Sequence, residues 1–403
     1  MKDILLEDSP KDFLPQRGKP RRYEPAHRFF PGPKLWLSSL LAGGSKLGLI
    51  TAMSNKEVMK KFTFYTLIIV LAILSVFAGR RYDKAPLSGR KPAGKITIYT
   101  SMYKDVIRSL DTVLKKQFPD CKIQFFYGET SQIQAKIAAE QKAGKLGCDI
   151  LLTAEPSYSL ELKEKGLLHS HISAEAGNLV FDCDKEGYWY PVRVSVMVLA
   201  YNPEKNARNS VPNSFFNFAN ISSFRNSLSM GNPLVSGTYM AVASALKDKY
   251  GYGYFKALGK QNVRIESYST ALAKLETGEY KAIMVPEESI LRKQHEESSK
   301  LEIIYPADGA IIIPSAIMII ADKWSANNNT RSAEIITDWF LGPKGQETIV
   351  TGLTHSVRKD IPPPYGSVSA GLIQSLPLNW ESIFSQREDL KVMFDEAVNL
   401  WKR

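Results

Sequence analysis

The sequence predicts an α/β protein of two lobes, each a mainly parallel sheet flanked by helices, joined by crossing strands. Residues 95–165 alternate short apolar strands with helices of 3.6-residue apolar period, and such alternation builds a parallel sheet with right-handed crossovers. Two apolar runs without helical period, 188–201 (YWYPVRVSVMVLAY) and 309–321 (GAIIIPSAIMIIA), stand roughly a hundred residues apart. That spacing is expected where a chain leaves one lobe and later returns. The 308 residues after position 95 suffice for two lobes of ordinary domain size.

In order, KITIYT (95–100) is the first strand. Residues 102–118 follow as a helix, with Val106, Leu110, Val113 and Leu114 at helical spacing and Pro119 as the stop. KIQFFY (122–127) is the second strand, and 130–143 the second helix, with Ile133, Ile137 and Ala138 on one face. DILLT (149–153) is the third strand, and 156–165 the third helix before Gly166. Beyond the first crossing run come a helix and turn (215–224), a short strand (228–230) and a helix (236–250). Segments 263–267, 272–276, 281–285 and 287–296 repeat strand–helix alternation. After the return run, 332–353 and 372–401 are mostly helical and are expected to pack on the first lobe. The organisation is therefore an extension (1–58), a signal and linker (59–94), the first part of lobe 1 (95–195), lobe 2 (196–308), and a return strand with helical tail on lobe 1 (309–403).

The signal reading rests on FTFYTLIIVLAILSVFAG (62–79), directly behind Lys60 and Lys61. A basic start, an apolar middle and small residues at Val76 and Ala78 have the build of a secretory signal cut after Ala78. The alternative is a retained membrane anchor, for which the uncharged run is short. Met53 and Met59 stand close to this signal, so 1–52 or 1–58 is read as preceding the true start. Export changes what the charge means. The chain carries +11, but residues 1–95 hold 18 Lys and Arg against 7 Asp and Glu, whereas 96–403 hold 34 of each. The exported body has no net pull towards nucleic acid, and no such partner is expected.

Cys121, Cys148 and Cys183 allow at most one disulfide within the chain; Cys121 and Cys148 border two predicted strands, and the sequence leaves their pairing open. None follows the apolar run closely, which argues against a lipid anchor. The chain has no CxxC, no P-loop, no G-x-S-x-G elbow and no H-E-x-x-H. No metal or cofactor is expected, and an exported hydrolase is the remote alternative.

In open parallel sheets, ligands sit beyond the carboxyl ends of the strands, against helix N-termini. The residues at those places are Thr100, Ser101 and Met102 after the first strand, Gly128 to Ser131 (including Thr130) after the second, and Thr153 after the third. In the other lobe they are Asn232, Ser236, Gly237 and Thr238 in NPLVSGT, then Thr270, Glu287 and Glu288. Helix N-termini present unpaired N–H groups and suit anions, although any single Ser or Thr there also serves as a cap. Glu287 and Glu288 are adjacent, so on a helix they point about 100° apart. Arg193, in the first crossing run, is either an interlobe ion pair or a clamp on a ligand.

From Lys95 to about Arg403 the chain resembles the type-2 periplasmic solute-binding proteins of ABC importers. It is most similar to the group holding ferric-ion-, thiamine-, phosphonate- and hexose-phosphate-binding proteins. ITIYTSMYKDVI, KIQFFYGETSQIQAKI, GCDILLTAEPSY, VMVLAYNPE, NPLVSGT and THSVRKDIPPP carry the resemblance. It implies two lobes that close on a solute, a periplasmic location (tethered if 62–79 is retained), delivery to a membrane permease, and a monomer without catalytic activity. Iron-binding members use adjacent tyrosines where this chain has MVPEESILR, which disfavours ferric iron. The Ser-Gly-Thr loop resembles the phosphate-contacting loop of organophosphate-binding relatives. The expected ligand is thus a sugar phosphate or organophosphonate, with Glu287 or Glu288 taking hydroxyls or an amine; iron, thiamine and polyamines stay open. His355 and Arg358 in THSVR are expected to hold the tail in place.

Overall fold

The computed structural model describes residues 91–399. The signal, the preceding extension and the last four residues lie outside them. Three parallel strands, β1 (Gly94–Thr100), β2 (Cys121–Tyr127) and β3 (Ile150–Thr153), are crossed over by α1 (Lys104–Gln117) and α2 (Thr130–Lys142). Helix α3 (Ser157–Glu164) and the short β4 (Leu168–His169) follow. A stripe of Val106, Leu110 and Leu114 seats α1 on Ile96, Ile98 and Ile150. Val113, expected on that face, is 37% exposed because it lies one position off the 106–110–114 row. Ala138 of α2 is likewise exposed beside the buried Ile133 and Ile137. Helix α1 begins at Lys104 rather than Met102; Met102 is buried and Tyr103 is the extended N-cap.

Strand β5 (Tyr190–Tyr201) is buried along its whole length. Beyond it come α4 (Phe215–Asn220), β6 (Leu228–Met230), α5 (Gly237–Tyr250), α6 (Gly253–Lys260), β7 (Arg264–Ile265), α7 (Tyr268–Thr277), β8 (Ala282–Pro286), α8 (Glu287–Glu297) and β9 (Glu302–Ile304). Strand β6 lies parallel between β7 and β8. β10 (Ala310–Ile320) then runs antiparallel to both β3 and β5. The strand path is β2-β1-β3-β10-β5-β8-β6-β7, with β4 and β11 (Ser375–Leu376) on β10 and β9 on β5. Two parallel half-sheets therefore meet at an antiparallel seam, the two long runs of the sequence. Strands buried on both faces read as continuous apolar stretches, which is why β5 and β10 were legible. The result is the two-lobed α/β architecture.

The tail divides. Helices α9 (Thr330–Leu341) and α10 (Pro343–Val350) pack on α1 and the β1–β10 face. Helix α11 (Trp380–Asn399) instead packs mainly on α6 and α5 of the other half, and touches α3. The tail therefore does not pack on the first half alone. Ile383, Leu390 and Phe394 are buried with Leu246, Phe255 and Leu258, whose apolar surface needs that cover. All three cysteines are free thiols.

Candidate functional site

The seam between the half-sheets carries the polar residues that the two lobes share. Strand β5 bulges at Val192: Arg193 faces Ser315, but Pro191 faces Ala316. A bulge re-aims neighbouring side chains, and its freed Val192 carbonyl accepts from Gln346 Nε2 at 2.8 Å. Arg193 and Ser195, two apart on a strand, share a face. Ser195 Oγ donates to Glu288 Oε1 at 2.7 Å, and Arg193 Nη1 stands 3.9 Å from the same oxygen. Arg193 is 5% exposed, and its Nε is buried with no partner. Among the described residues its guanidinium makes that one loose ion pair and lies 6.0 Å from the Tyr103 ring. Burial pushes the Glu288 carboxyl above the usual carboxylate range, with Glu287 adding to the rise; Arg193 and Ser195 oppose it.

Tyr103, in the loop between β1 and α1, meets these groups from the first half. Arg292 of α8 lies 4.7 Å from its ring centre and pairs with Asp105 at 2.5 Å. Tyr268 meets Tyr103 edge-on at 6.4 Å and stacks on Tyr239 at 5.6 Å. Burial raises the Tyr103 hydroxyl's pKa, and the Glu288 charge adds to it.

Glu287 points elsewhere. It bonds His355 Nε2 at 2.7 Å, Ser367 Oγ at 2.7 Å and the Tyr305 hydroxyl. The adjacent glutamates thus diverge, as helix geometry requires, and Glu287 is fully engaged within the fold. His355 also pairs its backbone with Val194 in both directions. Its contacts to Glu287 and Ser367 both use Nε2, so the ring cannot relay a proton between them. Arg358 ties Glu175, Asp360 and the Leu341 carbonyl. Both residues hold the tail.

The helix N-termini of the two halves meet. Helix α2 opens with a capping box, Glu129 with Gln132, and Ser236 caps α5 by accepting from Tyr239 N at 3.4 Å. Ser131 N donates to the Val235 carbonyl of the other half at 3.2 Å. A Cβ on Gly237 would lie 3.1 Å from Thr130 Cγ2 and 3.3 Å from Ala154 Cβ. Ala154 in turn reaches the seam, its carbonyl accepting from Ser315 Oγ at 3.3 Å. Between Thr130, Ser131, Ser236 and Gly237 the space left is about 10 Å³, room for about one water.

Arg387 and Lys391 of α11 also line it. Arg387, 7% exposed, bonds Ser157 Oγ at 2.7 Å and pairs with Glu161 at 3.2 Å and Glu155 at 3.8 Å. Burial raises the Glu155 carboxyl's pKa, with Arg387 opposing. Sequence reasoning missed both cations, because a helical period does not say which half the helix covers. Several expected residues bond within local turns. Thr100 Oγ1 accepts from Met102 N at 3.1 Å, Thr153 donates to the Glu155 carbonyl at 2.9 Å, and Asn232 accepts from Leu234 N at 2.9 Å. Met102 is 2% exposed in the core, and exposed Thr270 joins Ser267 in the cap of α7. Ser101 is half-buried in its loop, and Thr238 is buried behind Gly237. Among the described residues no group of three or more His, Cys, Asp or Glu is placed to hold a metal.

A family model described as bacterial extracellular solute-binding protein matches residues 148–363. The chain belongs to that family. Solved structures share the fold of this solute-binding protein. The periplasmic binding protein P5PA is 21% identical, with TM-score 0.63, over 75% of this chain and 98% of that one. Iron-bound HitA from Pseudomonas aeruginosa is 16% identical, TM-score 0.66, over 76% and 99%. AfuA from Actinobacillus pleuropneumoniae, with fructose-6-phosphate bound, is 18% identical, TM-score 0.66, over 76% and 99%. No curated protein sequence matches. No helix of the described part of this solute-binding protein is long and apolar enough to cross a membrane.

Proposed function

We propose that this solute-binding protein captures a small anionic solute, a sugar phosphate or organophosphonate, and delivers it to the permease of an ABC importer. It would act in the periplasm as a monomer without turnover. One observation carries the ligand class: Arg193, a buried cation whose Nε has no partner, at the floor of the seam. An unpaired buried donor on a charged group is costly unless a ligand supplies the acceptor. Ser195 and Glu288 lie beside it for a hydroxyl or amine, and Thr130, Ser236, Gly237 and Thr238 would meet the solute from the facing helix N-termini. Glu287 drops from the site because His355, Ser367 and Tyr305 occupy it.

Lobe 1 would comprise 95–195 with 309–353, and lobe 2 would comprise 196–308 with α11 laid across it. Opening would hinge at the Val192 bulge, where Pro191 and Pro314 also lack amide donors. Iron, thiamine and polyamines are the alternatives; the cation at the floor disfavours each of these positively charged ligands.

A thermal-shift panel on the whole chain tests the reading, because a ligand of the folded state raises the melting temperature. Hexose phosphates or phosphonates are expected to shift it, and Arg193→Met to weaken their binding at least about tenfold. A shift with ferric citrate, thiamine or polyamine alone would reject the anion.

A further inference from the structure

We infer a second binding site, for an acidic oligosaccharide, in a groove between Arg208 and Phe224 at the far end of the second half-sheet. The groove holds about 740 Å³, within the span usual for small-molecule sites. Strand β5 ends at this edge with Tyr201, and β6 and β8 begin there at Leu228 and Ala282. Asn232 and Glu288, read above as cleft residues, follow the opposite ends of β6 and β8. The groove is thus apart from the seam, and the inference does not rest on the reading of Arg193.

Its charge is of one sign. Between Glu204 and Asp248 the sequence has no acidic residue, but it has Lys205, Arg208, Arg225 and Lys247. Two cations converge on the groove. Arg208 is exposed and lies 5.9 Å from the centre of the Tyr201 ring. Lys281 lies 5.8 Å from the centre of the Phe224 ring and donates to the Ser223 carbonyl at 3.2 Å. Among the described residues neither forms an ion pair, nor do Lys205 and Arg225. The acids packed against this corner are otherwise engaged: Glu302 accepts from the Tyr201 hydroxyl at 2.6 Å, and Asp308 from the amides of Phe215 and Phe216 at 3.0 and 2.9 Å. A groove walled by cations alone concentrates anions.

The remaining lining selects a sugar. Asn209, Asn213 and Asn217 all face the groove. A side-chain amide both donates and accepts, as a sugar hydroxyl does. Asn217 Nδ2 donates to Asn213 Oδ1 at 2.7 Å, which leaves Asn213 Nδ2 and Asn217 Oδ1 for a ligand. Among the described residues the Asn209 side chain makes no hydrogen bond. Ile221, 37% exposed, offers an apolar surface to the C–H face of a ring. Phe224 is only 5% exposed, so the groove has no open aromatic face on which a nucleic-acid base would stack. The Arg208 fork matches a carboxylate. A uronic-acid oligosaccharide answers all three features: the charge, the amides and the apolar patch.

Residues 1–95 hold an excess of Lys and Arg and would also attract a long polyanion, so the probe is short and the readout local. Trigalacturonate is titrated into the whole chain by calorimetry beside its neutral methyl ester, and hydrogen exchange locates what it touches. The acid is expected to bind at least about tenfold more tightly than the ester, to weaken as salt is raised, and to slow exchange at the amides of 208–224 but not at that of Ser131. Arg208→Gln combined with Lys281→Gln should lower its affinity at least about tenfold and leave hexose phosphate binding as it was. No binding, equal binding of acid and ester, slowing confined to residues outside 205–225, or unchanged affinity in the double variant would each overturn the inference. Oligoglutamate or oligothymidylate binding this groove more tightly than trigalacturonate would overturn it as well. The comparison of acid with ester needs no variant, so misfolding of the double variant leaves it decisive. Each of these failures leaves Arg193 untouched, and an empty solute panel leaves this groove untouched.

Discussion

At the residue scale, neighbouring side chains of one type divide between site and scaffold according to what meets them. Glu287 and Glu288 are consecutive and both buried, yet one is saturated by His355, Ser367 and Tyr305 while the other faces an under-bonded arginine. Glycine decides the opposite wall. At Gly237 a methyl would press on Thr130 Cγ2 at 3.1 Å and Thr130 Oγ1 at 3.2 Å, closer than ordinary packing. Gly237→Ala should therefore oppose closure rather than folding. Overpacking of this kind costs about 1 kcal/mol or more, a loss of about fivefold or more in ligand affinity. Unliganded melting should change little. Adding Thr130→Ser removes the methyl contact and should restore part of the affinity; no recovery in titration would mean that the two helix ends do not meet in the bound state.

At the element scale, the seam strands and the first three strands and helices were legible in the sequence because their burial is simple. Strands covered on both faces are continuously apolar, and α1 shows its 106–110–114 stripe. What the sequence did not show was long-range choice: where α11 docks, which glutamate faces the seam, and how the bulge is held. Gln346 does the last of these. It is 0% exposed; its amide donates to the carbonyls of Val192 and Phe340, both at 2.8 Å. Its oxygen accepts from Ser356 Oγ at 2.8 Å and Val357 N at 2.9 Å. One side chain joins α10, the bulge of β5 and the 354–358 loop, and all four bonds are internal. Gln346→Leu keeps the volume but orphans those groups, and should cost at least about 2 kcal/mol in urea unfolding. A cost under about 1 kcal/mol would show that water replaces the amide. The hydroxyl loops illustrate the opposite limit: Thr100, Thr153 and Thr270 sit where a ligand would be met, and their hydroxyls also bond within local turns and caps. Cap and contact look alike in sequence, since both need a small polar side chain before a helix.

At the scale of the whole molecule, the halves are linked through three segments: β5, β10, and the strap that runs from His355 over α8 to β11. Two crossings were read from apolar runs; the third is polar, rich in proline, and held by Glu287 and by the pairing of Ala310 with Ser375. A third tether at the same seam restricts relative movement to bending about that line, so contacts far from it should report closure best. The Ser131 amide is such a reporter, because its acceptor, the Val235 carbonyl, belongs to the other half. In an opened molecule that amide faces water and exchanges freely; in the closed one it is bonded across the cleft. Hydrogen exchange at Ser131 should therefore slow on addition of a binding solute, while the amide of Ile133, bonded within its own helix to the Glu129 carbonyl at 2.9 Å, changes much less. Slowing confined to Ser131 and its neighbours would mark rigid closure of two preformed halves. Equal slowing at both amides would instead mean that the solute orders the whole of α2, and the hinge at the Val192 bulge would lose its role.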